Sequence, residues 1–199
     1  MKEVLFILFA YLIGSIPTAV WISRYFFGVD IRDYGSGNAG ATNTFRVLGS
    51  KWGCIVMSVD VLKGFIATSL YILLPFYMHN EWDRTNLMVG LGLAAVVGHI
   101  FPLWADFRGG KGVATALGIF AVLSIPLGIF TATVWLLAAR FGKISSLSAL
   151  CAFALSPFFA ALILSWPLVT FSFAVTLLIF CTHRSNISRL ISGQEKTMG

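Results

Sequence analysis

Charge is scarce in this chain. Only 11% of its 199 residues are Asp, Glu, Lys or Arg, whereas a soluble globular domain carries about 25%. A free-standing soluble domain is therefore excluded. Cysteine is nearly absent as well. Cys54, Cys151 and Cys181 are odd in number, widely spaced and set in apolar runs, which leaves no disulfide framework and no metal site. They are expected as small buried hydrophobes. Internal repeats, low-complexity tracts and domain linkers are all missing, so a single domain over 1–199 is expected. The net charge of +6 does not indicate nucleic acid here; it fits Lys- and Arg-rich loops on one side of a membrane.

Apolar residues are what the chain has in abundance. They make up 58% of it, with a mean hydropathy of +0.87, in runs that approach the roughly 20 residues needed to span a bilayer. The run Val4–Ile22 is longer than a signal-peptide core, and no small-x-small cleavage site follows it. It is read as the first transmembrane helix. The pattern predicts an all-α polytopic membrane protein of about seven transmembrane helices, near 4–23, 53–75, 87–104, 112–124, 126–139, 145–164 and 167–183. The fourth and fifth have an alternative reading as one helix kinked at Pro126. With the N-terminus outside and the C-terminus cytoplasmic, Arg24, Arg32, Arg46, Lys51, Arg108, Lys111, Arg140, Lys143, Arg184, Arg189 and Lys196 all face the cytoplasm. Only Lys2 and Arg84 face out, and this asymmetry sets the orientation.

Three polar segments then share the cytoplasmic side. The first, YGSGNAGATNTFR at 34–46, has almost no bulky apolar side chain. Gly35, Gly37 and Gly40 let backbone approach a ligand closely, and successive bare N–H groups make a nest for anionic oxygens. Ser36, Asn38, Thr42 and Asn43 add donors, and Arg46 adds a guanidinium fork. The second, FRGGKGVAT at 107–115, sets Arg108 and Lys111 among Gly109, Gly110 and Gly112 where a helix begins, a natural anion site. The third, HRSNISR at 183–189, places His183, Arg184 and Asn186 after the last span. Any one of these arginines is explained by anchoring at the membrane interface, and glycines near helix ends by capping or close packing. An anchor needs charge but not glycine, and the three segments combine cations with Gly, Asn or Ser on one face. They read together as a site for phosphate-bearing molecules beside lipid.

Two look-alikes fail. Gly35, Gly37 and Gly40 fit G-x-G-x-x-G with Asp60 downstream, yet no βαβ unit accompanies them. Gly110-Lys111 lacks the flanking residues of a P-loop. Asp60 and Lys63 lie three apart on one face of the second span, which suits a self-neutralising packing pair as well as a functional role. His99, near the end of the third span, is either a packing residue or a site member; His79 lies in an outer loop. Gly14, Ser15 and Pro17 are expected to kink the first helix. No cysteine nucleophile, metal-ligand cluster or carboxylate pair accompanies the segments. Catalysis would then rest on positioning and electrostatic stabilisation.

GSGNAGATN at 35–43, GHIFP at 98–102, FRGGKGVATALG at 107–118 and HRSNISRL at 183–190, together with GSIP at 14–17 and DVLKG at 60–64, closely resemble the bacterial acyl-phosphate:glycerol-3-phosphate acyltransferases, the PlsY family. The resemblance implies transfer of a fatty acyl group from acyl phosphate to the 1-hydroxyl of glycerol 3-phosphate. The products would be lysophosphatidic acid and phosphate, made without cofactor or metal as part of phospholipid biosynthesis. Carried over by position, it implies Ser36, Arg46, Lys111, His183, Arg184 and Asn186 as catalytic residues. Ser185 stands where the family usually has an acidic residue. The resemblance also implies the bacterial inner membrane, small-molecule substrates, and a functional link to a soluble enzyme that makes acyl phosphate. A His-x4-Asp pair, used by other membrane glycerolipid acyltransferases with acyl-CoA, is absent: Arg84, Trp104 and Ser188 stand five residues after His79, His99 and His183. A transporter for a small phosphate compound is the alternative class, disfavoured because the polar groups gather at one face.

Overall fold

The computed structural model describes residues 2–73 and 81–198; His79 lies outside them. The described residues are helical, without strands, and divide into two compact units, 1–119 and 120–199, with the boundary inside one helix.

The first unit opens with α1 (Lys2–Gly14) and α2 (Thr18–Phe27), bent by 40° at the intervening Ser15-Ile16-Pro17. Pro17 has no N–H, and the residue before a proline is pushed out of helical geometry, so the apolar run must break there. That is the kink expected of Gly14, Ser15 and Pro17. The glycine-rich polar segment leads into α3 (Ala41–Leu48), then α4 (Ser50–Ser69), α5 (Glu81–Ile100) and α6 (Val113–Leu123). α1 lies closely against α5. A side chain at Gly98 would strike the Tyr11 carbonyl, and one at Gly14 the Ala95 backbone. Small residues at such crossings let backbones touch where lipid gives no hydrophobic drive for helix association.

The second unit carries α7 (Ile125–Gly142), α8 (Ser145–Ile163), α9 (Trp166–Thr182) and α10 (Arg184–Ile191). Ser124 caps α7 by accepting from the Leu127 N–H, and Pro126 sits in the first turn, where a missing N–H costs nothing. Residues 112–139 therefore form two helices, not one helix kinked at Pro126. Pro157 lies inside α8 and leaves the Phe153 carbonyl without its helical donor. Thr176 Oγ1 of α9 donates to that carbonyl at 2.7 Å and Ser156 Oγ at 3.0 Å. In an apolar surrounding such repair by a neighbouring helix is what makes an interior proline tolerable. Phe130 and Phe159 stack at 4.1 Å between α7 and α8.

Four segments are long and apolar enough to cross a bilayer: Ser50–Leu73, Arg84–Ala105, Ile125–Gly142 and Ser145–Ile163. The bent pairs α1–α2 and α9–α10 raise the number to 6 if each is one crossing, and Val113–Leu123 is a shorter apolar helix. The cysteines differ from expectation. Cys54 and Cys181 are exposed and Cys151 half-buried, because an apolar run shows that a helix is apolar all round, not which face meets protein.

Candidate functional site

In the first unit the polar segment 34–46 is half turn and half helix. Gly35 and Gly37 take φ of +66° and +74°, which only glycine adopts without strain. Asn43 is 1% exposed and staples the turn from within. Its Oδ1 accepts the Ser36 N–H at 2.8 Å, while Nδ2 donates to the Ile31 and Tyr34 carbonyls at 3.1 and 3.0 Å. A side chain at Gly35 would collide with that amide oxygen. Asn43 thus shapes the turn, and Gly35, Ser36 and Gly37 form its exposed surface. Asn38 is half-buried, and Gly40 is the buried residue that precedes α3. Thr42 in the first turn of α3 and Arg46 in the last are four apart and share a face. Beneath them a small apolar cluster of Ala19, Val20, Ile31, Ala39, Val56 and Ala105 seats the segment.

The segment 107–115 is held just as tightly. Asp106 and Phe107 both take left-handed φ near +55°, unusual for residues with a side chain. The turn folds back on the end of α5: the Gly109 N–H donates to the Ile100 carbonyl and the Gly110 N–H to the His99 carbonyl. Gly112, at φ +88°, leads into α6. Arg108 is exposed, Lys111 half-buried, and Gly110 and Gly112 are buried.

The two segments meet at Ala39 and Gly110, and Arg32, two residues before the first, reaches the start of the second. A Cβ at Gly110 would strike the His99 ring and lie 3.0 Å from the Ala39 carbonyl oxygen, so only glycine lets these backbones lie together. This brings the starts of α3 and α6, two helix N-termini, into one neighbourhood. At the other end, Arg32 donates to the Ala105 carbonyl at 2.8 Å and to the Arg108 carbonyl at 3.4 Å. Asp30 anchors Arg32 through Nη2–Oδ2 at 2.8 Å and receives Arg24 as well. The hydrogen bond from the Arg32 guanidinium, opposed by burial, holds the Asp30 carboxyl well below the usual carboxylate range; Asp30 in turn raises Arg32. Sequence reasoning had placed Arg32 only as a cytoplasmic charge. The nearby Asp30, two residues before it, was the available signal.

Behind these segments lies a small, partly open cleft, lined among others by Thr18, Ala39, Asp60, Lys63, His99 and Gly110. Lys63 Nζ pairs with Asp60 Oδ1 at 2.8 Å and donates to the Ile16 carbonyl at 2.8 Å; Thr18 Oγ1 donates to the same Asp60 oxygen at 3.2 Å. The intramembrane charges are thus a neutralised pair tying α4 to the break between α1 and α2. His99, 6% exposed, has Nδ1 3.7 Å from Asp60 Oδ1 and its ring under Gly110. It joins the glycine segment to this pair.

In the second unit, His183 ends α9 and is 3% exposed. Its Nδ1 lies 2.8 Å from the Ile179 carbonyl oxygen. A carbonyl only accepts, so Nδ1 carries the proton and Nε2 is the acceptor in the neutral ring. Arg184 is exposed at the start of α10, whereas Asn186 is 5% exposed. Asn186 Nδ2 donates to Glu195 Oε1 at 2.5 Å. Ser146 Oγ donates to the same oxygen at 2.7 Å, and Arg189 Nε to Oε2 at 2.6 Å. Burial alone would raise the Glu195 carboxyl, but these three donors together lower it. Glu195 escaped the sequence reading, being one acid in a polar tail outside every motif.

The sequence matches the glycerol-3-phosphate acyltransferase family over residues 4–193. Glycerol-3-phosphate acyltransferases of Listeria welshimeri and Fusobacterium nucleatum are each 42% identical to it, over 193 and 192 residues, which cover 96% of this chain and 94% and 95% of theirs. Two crystal structures of PlsY (YgiH), an integral membrane glycerol 3-phosphate acyltransferase, superpose over 100% of this chain and 96% of their own. The glycerol 3-phosphate form gives a TM-score of 0.91 at 36% identity. The lysophosphatidic acid form gives 0.88 at 35%. The chain therefore belongs to the glycerol-3-phosphate acyltransferase family and is a multi-pass membrane protein.

Proposed function

We propose that this protein transfers a fatty acyl group from acyl phosphate to the 1-hydroxyl of sn-glycerol 3-phosphate, releasing lysophosphatidic acid and phosphate. The observation that carries the reading is the meeting of the two glycine-rich segments at Ala39 and Gly110, which sets the α3 and α6 N-termini together beside Lys111. Both substrates are phosphate anions, and two helix N-termini with a cation suit them.

In the proposed reaction the substrate hydroxyl attacks the acyl carbon and the carbonyl becomes an oxyanion. The C–O bond to phosphate then breaks. An acyl phosphate is a mixed anhydride, so its leaving group needs no activation by metal or cofactor. Arg46, Lys111 and Arg184 neutralise phosphate and oxyanion charge, and Ser36 and Asn186 orient the substrates. Gly35, Gly37, Asn38, Gly40, Thr42, Gly109, Gly110 and Gly112 supply or shape the phosphate cradle, with Asn43 holding it from within. The departing phosphate takes the hydroxyl proton; His183 Nε2 is the competing base. Activity that survives His183→Ala with a rate plateau over the same pH range assigns the proton to phosphate, and a loss of several hundredfold assigns it to the histidine.

We further propose seven crossings in a bacterial inner membrane, formed by α1–α2, α4, α5, α6, α7, α8 and α9. The N-terminus would be outside, the site and C-terminus cytoplasmic, and the whole chain one acyltransferase domain. A soluble enzyme would supply acyl phosphate. Cysteines placed at the exposed Ser50, Phe107 and Gln194, in a background without the native thiols, should react with impermeant reagents only after permeabilisation. Labelling of any one in intact cells overturns this orientation.

The deciding experiment supplies purified protein with labelled glycerol 3-phosphate and either acyl phosphate or acyl-CoA. Lysophosphatidic acid should form with acyl phosphate only. Equal rates with acyl-CoA overturn the donor, and absence of product with both overturns the reading.

A further inference from the structure

His99 lies between the buried ion pair and the second glycine-rich segment, facing both, and the proposed reaction leaves it without a task. We infer that His99 is a positioning residue: its ring, held at one edge by Asp60, seats Gly110 and so fixes where the turn 107–115 presents Lys111 and the start of α6. This deepens the proposed function, since it rests on that turn being part of the phosphate cradle.

One edge of the ring is the anchor. His99 is 6% exposed, and its Nδ1 makes no hydrogen bond among the described residues. Asp60 Oδ1 lies 3.7 Å from that nitrogen. A carboxylate only accepts, so the neutral ring keeps its proton on Nδ1, toward Asp60, and its lone pair on Nε2. The separation is too long for a direct hydrogen bond, but in an apolar surrounding a carboxylate still orients an N–H dipole at that range. Asp60 is itself held. The same oxygen takes Lys63 Nζ at 2.8 Å and Thr18 Oγ1 at 3.2 Å, and Lys63 also donates to the Ile16 carbonyl at 2.8 Å.

The opposite edge carries the turn. A Cβ at Gly110 would strike both Nε2 and Cε1, so the Gly110 backbone rests directly on the ring. The Gly110 N–H donates to the His99 carbonyl at 3.2 Å and the Gly109 N–H to the Ile100 carbonyl at 3.1 Å. Those two bonds hold the turn to the end of α5, and the ring limits how far it can sink. Asp60, Lys63, His99, Gly109 and Gly110 line one small cleft, so without the ring the turn has space to move into. Lys111 is the next residue, and Gly112, at φ +88°, leads into α6; both would follow Gly110. A shift of about 1 Å in a group that positions substrate can cost roughly a hundredfold in rate. Asp60, Lys63 and Thr18 keep their mutual contacts when the ring is gone, so the break between α1 and α2 stays tied.

The test is a double-mutant cycle between His99 and Gly110 on the full-length protein in detergent, reading kcat/KM for both substrates alongside thermal melting. His99→Asn keeps a donor for Asp60 and removes the ring from Gly110. It should lower kcat/KM by about tenfold with melting close to wild type. Gly110→Ala drives a methyl into the ring and should lower kcat/KM by about a hundredfold. The double variant gives that methyl the room the ring had, so it should recover about tenfold over Gly110→Ala alone, a rescue that two independent losses cannot produce. The 3.0 Å approach to the Ala39 carbonyl keeps it below wild type. If His99→Asn does not fold, the cycle is read with His99→Ala, which clears the same ring atoms. Losses that multiply in the double variant overturn the inference, as does wild-type kcat/KM in folded His99→Asn or a loss that only follows its melting temperature. All three leave the proposed reaction standing. Wild-type turnover in Lys111→Ala removes the turn from the phosphate cradle and the inference with it.

Discussion

The two compact units hold their polar groups by different means. All but one of the eight acidic side chains belong to the first 119 residues. There Asp30 fixes Arg24 and Arg32, Asp60 fixes Lys63, and the glycine segments are shaped by Asn43 and by backbone contact. The second unit gathers Ser146, Asn186 and Arg189 on Glu195. A surface built from backbone and several separate staples degrades by degrees when one is lost. A surface that shares one carboxylate among three side chains feels its loss at all three.

The largest effect should come from the first unit's buried pair. Lys63→Met leaves Asp60, 2% exposed, without its cation. Breaking a buried pair from one side costs about 3–5 kcal/mol. In a chain of this size that lowers Tm by roughly 10 °C or more. Asp60→Leu with Lys63→Met should regain much of it, since a well-packed apolar pair is often no worse than the ion pair. A wild-type Tm for Lys63→Met would show that the network is not what locks the α1–α2 break.

Next come the cations that differ between units but share a proposed task. Lys111→Ala and Arg184→Ala should each lower kcat/KM by about a hundredfold, the usual result of deleting one donor at an anion-stabilising site. Their melting temperatures should stay near wild type. Wild-type turnover in Lys111→Ala would refute the anion site of the first unit while leaving the family membership untouched. Arg46→Lys should lose about tenfold, because an ammonium cannot reproduce a two-pronged guanidinium contact. Full activity there would mean that Arg46 supplies only charge.

What could be read from sequence followed the strength of the local signal. Long apolar runs marked an all-helical, multi-pass membrane chain, and Gly14, Ser15 and Pro17 announced the break between α1 and α2. Glycine with lysine and arginine marked two segments that the fold does bring together at Ala39 and Gly110. The short helices α3 and α10 were missed because they are polar on one side, so an apolar-run reading passes over them. Asn43 looked like a ligand donor, because composition cannot tell an amide that faces outward from one that staples its own turn. The partners of Glu195 lie six, nine and forty-nine residues away, and no local pattern joins all three.

Acid should separate the units only at low pH. Asp30 has its carboxyl held far below the usual range and Glu195 is lowered too. A depressed carboxylate contributes stability that is complete above its unfolded pKa and lost as pH falls through its folded pKa. Between pH 5 and 8, the Tm differences of Asp30→Asn and Glu195→Gln from wild type should therefore be flat. They should shrink only below about pH 4. A slope near neutrality in either would mean that its partners do not hold it ionised.

The smallest effect is expected at Lys143, and it tests whether positive charge alone matters in the second unit. Lys143 ends α7 with φ +53°, and its carbonyl, not its ammonium, receives the Met198 N–H. Lys143→Ala keeps that carbonyl and the same unfavourable φ, so kcat/KM should stay within about twofold of wild type, as for an exposed side chain outside the site. Lys143→Gly relieves the left-handed strain and should raise stability by up to about 1 kcal/mol, with activity unchanged. Both variants leave the tail bond that helps place Glu195. If Lys143→Ala instead fell as far as Arg184→Ala, the second unit would act through its summed charge, and the distinction between an anchoring and a catalytic cation would be lost there.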